Sequence, residues 1–252
     1  MSNYVIIGAN SEIGTSLAQH LISHKHNVIL VSRSKKSSWG SSNDWLDGID
    51  LTNELNLLTL KNFIQSKFNS PFTLIHSVGN FWEHKPITST SFSEAASQIN
   101  SHYITLFGVI KAVIPIMQSM GGGKIIAFSC NSVKYNYPDM AAFTSSKAAV
   151  ECLIKCVANE QSKYNIILNA FALPSIKTNS VIETKPSEYH NDYATLEELS
   201  NCIESTVEHL SPLTNGNVIN LFKYSDSFYH KGYYERNIIW EENSNEGIKR
   251  LL

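Results

Sequence analysis

The sequence predicts an α/β protein in which helices cover both faces of one doubly wound, seven-stranded parallel sheet. Short apolar runs alternate with longer segments of helical period from end to end, the pattern of repeated βαβ units. The first run, YVIIG, is continuously apolar, as a strand buried on both faces must be. The chain has 252 residues, of which 42% are hydrophobic, and shows no internal repeat or interdomain linker, so one domain over 1–252 accounts for it.

The elements follow in order. Tyr4 to Gly8 is the first strand and Ser11 to His24 a helix, with Ile13, Leu17 and Leu21 near helical spacing. Asn27 to Ser32 is a second strand. The Ser-rich stretch RSKKSSWGSSNDW is too polar for a core element and leads to a short third strand at Leu46 to Asp50. Leu55 to Phe68 is helical, Phe72 to Ser77 is a strand, and Ser91 to Met120 is a long helix that Pro115 should bend. Lys124 to Ser129 is a fifth strand entered through three glycines. A helix from Met140 to Lys163 precedes the strand Asn165 to Ala172, and a helix at Leu196 to Leu210 precedes the strand Asn217 to Leu221. The polar segment 175–193 is ungrouped and is read as a substrate loop.

Charge and cysteine content remove whole classes of function. The net charge is −2, with 17% charged residues, which gives no cationic footprint for nucleic acid. No basic segment precedes an apolar run of signal length and no apolar stretch reaches about 18 residues, so a cytoplasmic protein without membrane contact is expected. Cys130, Cys152, Cys156 and Cys202 lack the close paired spacing of a zinc or disulfide framework. No metal is expected. Cys152 and Cys156, four apart on a helix, read as small buried residues.

Gly8 and Gly14 bracket Ala9, Asn10, Ser11, Glu12 and Ile13 directly after a strand and at the opening of a helix. Glycine there lets the backbone turn tightly and approach a pyrophosphate held on the helix N-terminus. The second strand ends near Arg33, with Lys35 and Lys36 behind it, where an adenosine ribose is read. A cation at that place suits a 2′-phosphate, so NADP is favoured over NAD. Asp50, beside Leu51, is placed for the adenine amino group, and Ser77 to Gly79 for passage of a ribose. Glu12 is read as pointing to solvent.

These motifs, in this order along nearly the whole chain, resemble the short-chain dehydrogenase/reductase family. The resemblance implies a Rossmann fold, a nicotinamide cofactor, a small-molecule substrate and a homodimer or homotetramer. Gly8 to Gly14 is similar to the family's glycine motif, with Glu12 in place of the middle glycine. Asp50-Leu51-Thr52 resembles its adenine-contacting motif, and Ser77-Val78-Gly79 its N-A-G. Asn100 matches the Asn of the long central helix, and Pro174, Ile176 and Thr178 match the segment beside the nicotinamide.

The pattern breaks at the catalytic pair. The family uses Tyr-x-x-x-Lys with a Ser thirteen residues before the Tyr; here Lys147 is present, but Phe143 stands for Tyr and Cys130 for Ser. A phenyl ring has no proton to give, and a thiol is a weak donor. Tyr135 or Tyr137 could supply a substitute proton, whereas His102, two residues past Asn100, would point away on a regular helix. Trp82 and Tyr189 are read as lining a pocket. The aromatic run 224–240 is read as covering a neighbouring element or a subunit interface. Two functions follow: an NADP(H)-dependent oxidoreductase of atypical mechanism, or a non-redox descendant that senses the cofactor or catalyses elimination or isomerisation.

Overall fold

The computed structural model describes residues 1–34 and 44–221. Lys35, Lys36 and the aromatic run 224–240 lie outside the described residues. Seven strands form one parallel sheet in the order β3-β2-β1-β4-β5-β6-β7.

β1 (Asn3–Ile7) runs into α1 (Glu12–Ser23), and β2 (Asn27–Val31) is followed by β3 (Asp44–Leu46). Strand β3 ends where it was expected to begin. It is a three-residue, half-buried edge strand, too short to carry the apolar signature that marks its neighbours. α2 (Glu54–Lys67) is capped by the Asn53 side chain and leads to β4 (Phe72–His76), all of whose residues are buried.

The long helix is interrupted. α3 (Phe92–Ile99), opened by a Ser91–Glu94 capping box, passes through a π turn at Asn100–Ile104 into α4 (Thr105–Ser119). The departure from α geometry therefore lies at 100–104, while Pro115 sits inside an α-helix that continues to Ser119. Residues Phe92–Ser119 are together long and apolar enough for a bilayer span, yet Leu106, Val109, Val113 and Ile116 are fully buried in the core. β5 (Gly123–Cys130) leads through the short α5 (Ser132–Tyr135) to α6 (Ala141–Gln161) and β6 (Ile166–Leu173).

The expected loop 175–193 is built rather than irregular. It contains α7 (Asn179–Thr184) and a 3₁₀ segment at Ser187–Asp192. A parallel bridge between Ile176 and Ala194 closes its neck, with Lys177 N donating to Ala194 O at 2.8 Å and Ala194 N to Ser175 O at 3.1 Å. α8 (Leu196–His209), with a Thr195–Glu198 capping box, and β7 (Val218–Asn220) complete the described chain.

Alternation along β1 shows how the sheet divides the core. Val5 and Ile7 join the apolar layer beneath α2, α4 and α6, whereas Tyr4 and Ile6 join the layer beneath α1 and α8. Strand order reverses between β1 and β4, and the crevice beyond their carboxyl ends is where such sheets hold ligands. Ile7 pairs with Val31 on one side and His76 on the other, so Gly8, Ser32 and Ser77 emerge together at that point. Cys152 and Cys156 are exposed, against the expectation of burial, because their face of α6 turns away from the sheet.

Candidate functional site

The glycine turn is tight in the way its sequence requires. Gly8 has φ +86°, a conformation that L side chains rarely adopt. A Cβ on Gly14 would stand 2.3 Å from Gly8 O and 2.7 Å from Ser77 Oγ, so no side chain fits there. Ser11 caps α1: its Oγ accepts from Gly14 N at 2.9 Å and donates to Gly8 O at 2.9 Å. The Asn10 amide donates to Ser34 O and so ties the turn to the end of β2. Ile13 is half-buried against the α1 layer. Ser77 Oγ donates to Ile7 O at 2.8 Å and locks β4 to the turn.

Arg33 is exposed at the end of β2. Asp50 Oδ1 accepts from Thr52 N at 2.9 Å and from Thr52 Oγ1 at 2.7 Å. Those hydrogen bonds, with help from Arg33, hold its carboxyl below the usual range and leave Oδ2 for an outside donor. Leu51 is buried beneath it.

Glu12 does not point to solvent. It is half-buried, and both carboxylate oxygens accept from Asn179 N at 3.0 Å, which joins the first turn of α1 to the start of α7. A fixed anion therefore stands beside the glycine turn. Thr178 precedes Asn179 at the N-cap of α7, Pro174 is half-buried, and Ile176 is a core residue of the α1 and α8 layer.

Lys147 is the centre of the second half of the site. Its Nζ donates to Phe128 O at 2.9 Å, the one hydrogen bond it makes among the described residues. Burial pulls its pKa down to about 8, with Cys130 opposing the shift. An ammonium carries three donors, so two remain for acceptors such as ribose hydroxyls. Phe143 lies one helical turn back, its ring centroid 5.6 Å from Nζ. Cys130 ends β5, and its Sγ accepts from Ser132 N at 3.4 Å. Strand alternation turns the preceding Ser129 elsewhere, where it donates to Glu151 at 2.6 Å.

The residue that faces Lys147 from the long helix is His102, not Asn100. Asn100 is exposed, whereas His102 is buried. The imidazole hydrogen-bonds Ser146 Oγ at 2.8 Å through Nδ1 and meets the Phe143 ring edge-on at 5.3 Å. A Cβ on Gly79 would come within 2.4 Å of that imidazole and 3.7 Å of Lys147 Nζ, so Gly79 makes room for both groups. Burial, then Lys147 and His76, push the pKa of His102 down to about 2. His76, at the end of β4, is pushed to about 3 by burial and Lys147, and bonds Thr105 Oγ1 at 3.1 Å. Both imidazoles are neutral at physiological pH. Sequence reasoning missed His76, whose one signal was a histidine closing an otherwise apolar strand.

The aromatic residues separate into two roles. Trp82 is buried and donates from Nε1 to Asp139 O at 2.9 Å; Lys85 N donates to the same carbonyl at 2.9 Å, so the indole pins two loops together rather than lining a pocket. Tyr135 and Tyr137 are half-buried neighbours with ring centroids 5.8 Å apart. Tyr189 is half-buried in the 175–193 excursion.

The short chain dehydrogenase family model matches residues 2–188. Benzil reductase ((S)-benzoin forming) of Bacillus cereus is 26% identical over 205 residues, covering 75% of this chain and 82% of that protein. Fatty acyl-CoA reductase of Acinetobacter baylyi is 23% identical over 198 residues, covering 73% of this chain and 66%, just under two thirds, of that enzyme. Among solved structures, ElxO with NADP bound superposes with a TM-score of 0.77 at 22% identity over 87% of this chain and 96% of its own. A Tyr-to-Phe variant of ElxO with NADPH bound gives the same figures.

Proposed function

The chain belongs to the short chain dehydrogenase family, and from that premise we propose that it is an NADP(H)-binding oxidoreductase of atypical mechanism, acting on a small carbonyl or alcohol. The observation that carries this reading is Lys147: a buried ammonium with one protein acceptor, two unused donors and a glycine opposite it. That arrangement suits ribose hydroxyls. The glycine turn supports a pyrophosphate in the same crevice, and Arg33 beside Asp50 supports a 2′-phosphate. ElxO, which has this fold, is described with NADP bound, and its Tyr-to-Phe variant with NADPH bound.

A nicotinamide held in this crevice would supply hydride chemistry. Lys147 would hold its ribose, Gly79 leaves room for the approach, and His102 with Ser146 fixes the wall behind Phe143. None of these delivers a proton in the usual way. Phe143 carries none, and His102 is engaged with Ser146 Oγ and the Asn80 backbone. The proton comes from water, from the substrate, or from Tyr135 or Tyr137 in the adjoining loop. Phe143 and Cys130 also favour the second reading, a non-redox descendant that binds the cofactor without turning it over.

Fluorescence titration with NADPH and NADH tests the cofactor assignment, with NADPH expected to bind more tightly. Arg33→Ala should remove that preference, about tenfold, and leave the NADH Kd unchanged. Equal weakening of both would remove the 2′-phosphate role. Turnover of ketones by the wild type decides for the oxidoreductase; binding without turnover decides for the descendant.

The protein is further assigned to the cytoplasm, in keeping with its free cysteines. It is assigned as a homodimer or homotetramer, paired through the apolar groove of Phe107, Ile110, Ile114, Leu153 and Val157 between α4 and α6, where Phe107 is exposed.

A further inference from the structure

At the opposite end of α1 from the glycine turn, three imidazoles converge on one carboxylate. His20 Nε2 lies 2.6 Å and His24 Nδ1 2.7 Å from Glu204 Oε2, and His26 Nε2 lies 2.8 Å from Glu204 Oε1. The sequence signal is H-x-x-x-H-x-H over 20–26, answered by Glu204 on α8. His20 stands eight residues, about 12 Å, along α1 from Glu12 at the glycine turn.

We propose that His20, His24 and Glu204 bind one divalent transition-metal ion of the zinc class, with His26 as the positioning residue for the carboxylate. His20 stands in the last turn of α1 and His24 at its C-cap, four residues apart and on one face, with ring centroids 4.3 Å apart. Their two nitrogens meet a single carboxylate oxygen. The three donor atoms lie within 4.8 Å of one another. An ion at about 2.0–2.2 Å from each in tetrahedral geometry sets donors about 3.4 Å apart, so the contacts at 2.6 and 2.7 Å open by less than 1 Å.

The tautomer of His26 separates its role from the other two. Its Nδ1 accepts from Ser2 N at 3.1 Å, so its proton sits on Nε2 and goes to Glu204 Oε1. That hydrogen bond orients the carboxylate and leaves Oε2 for the ion, the usual division between ligands and the groups that aim them. The Glu204 carboxylate stands within hydrogen-bond distance of all three imidazoles. Glu208, one turn further along α8, lies within reach of Glu204 and supplies the second negative charge. Two imidazoles and a carboxylate suit zinc, cobalt, nickel or copper rather than calcium or magnesium. The cluster opens on a shallow depression floored by Asn201 and Ser205, which leaves a coordination position for water.

The test uses the full chain without a polyhistidine tag, stripped with a chelator. Zn²⁺ is titrated in competition with a chromophoric chelator, and Co²⁺ is added separately to read coordination from its visible bands. One equivalent of Zn²⁺ bound at micromolar or lower Kd, intense tetrahedral Co²⁺ bands and a rise in Tm are expected. His24→Ala, at a side chain 49% exposed and therefore tolerant of truncation, should weaken Zn²⁺ at least tenfold and abolish the Tm rise. Glu204→Gln should do the same while keeping the side-chain shape. No stoichiometric uptake by the wild type, or unchanged binding in both variants, overturns the site. So does binding that disappears in Cys152→Ser/Cys156→Ser instead, since it would place the ion on the exposed thiols of α6.

Discussion

The glycine turn and the Phe143 position both sit at the carboxyl end of one sheet, but they differ in the side chains that surround them. At the turn, Gly8 holds φ +86° and the packing leaves no room for a side chain on Gly14. Around Lys147 stand the Phe143 ring, the Cys130 sulfur and a His102 imidazole held neutral, the first two in the places where the family resemblance implies Tyr and Ser. On the proposed function, binding and turnover rest on separable residues that meet at Lys147.

The strongest way to break that contrast is to restore the missing groups. Phe143→Tyr/Cys130→Ser should raise ketone reduction by about 10²- to 10⁴-fold, the usual yield of a positioned general acid. Steady-state kinetics with NADPH would show it. An equal rate in the wild type would mean that Tyr135, Tyr137 or water already does the work.

Removing the shared residue sharpens it from the other side. Lys147→Met should weaken NADPH about 100-fold, since about 3 kcal/mol of charge-assisted hydrogen bonding is lost. In the wild type the ammonium loses its proton as pH rises through about 8, so NADPH affinity should fall above that pH. The variant should show no such step in a Kd profile from pH 6.5 to 10.

The neutral histidines predict acid sensitivity. His76 and His102 titrate near 6.5 when unfolded but near 3 and 2 when folded, so the unfolded state binds more protons between those values. Stability therefore falls as pH drops below about 6.5, by about 1.4 kcal/mol per pH unit for each histidine. Urea melts between pH 7.5 and 5 should give a slope that His102→Asn reduces by about half of the pair's share.

The smallest expected change is at Glu12. Glu12→Gly should tighten NADPH about fivefold by removing a like charge worth about 1 kcal/mol beside the pyrophosphate position. Weaker binding would show instead that the contact with Asn179 N, by holding α7 in place, matters more than the charge.

Much of the fold is legible in the sequence. The strands of the sheet interior announce themselves as unbroken apolar runs because both faces are covered, and the glycine turn follows from steric need at Gly8 and Gly14. Where the expectations fail, the causes are physical. The resemblance points to Asn100, but the π turn at Asn100–Ile104 resets which side chains face the sheet and buries His102 instead. Cys152 and Cys156 carry no local sign of which face of α6 is covered. The edge strand β3 is too short and too lightly buried for periodicity to find it.

The bridge between Ile176 and Ala194 makes the 175–193 excursion a cassette with fixed ends. Its two attachment points are hydrogen-bonded to each other, so a longer or shorter insert changes the closure entropy only slowly with length and leaves the register of β6 untouched. The content of this segment can therefore vary while the sheet beneath it stays constant, and grafting the corresponding segment of a relative between Ser175 and Ala194 would show whether it sets specificity.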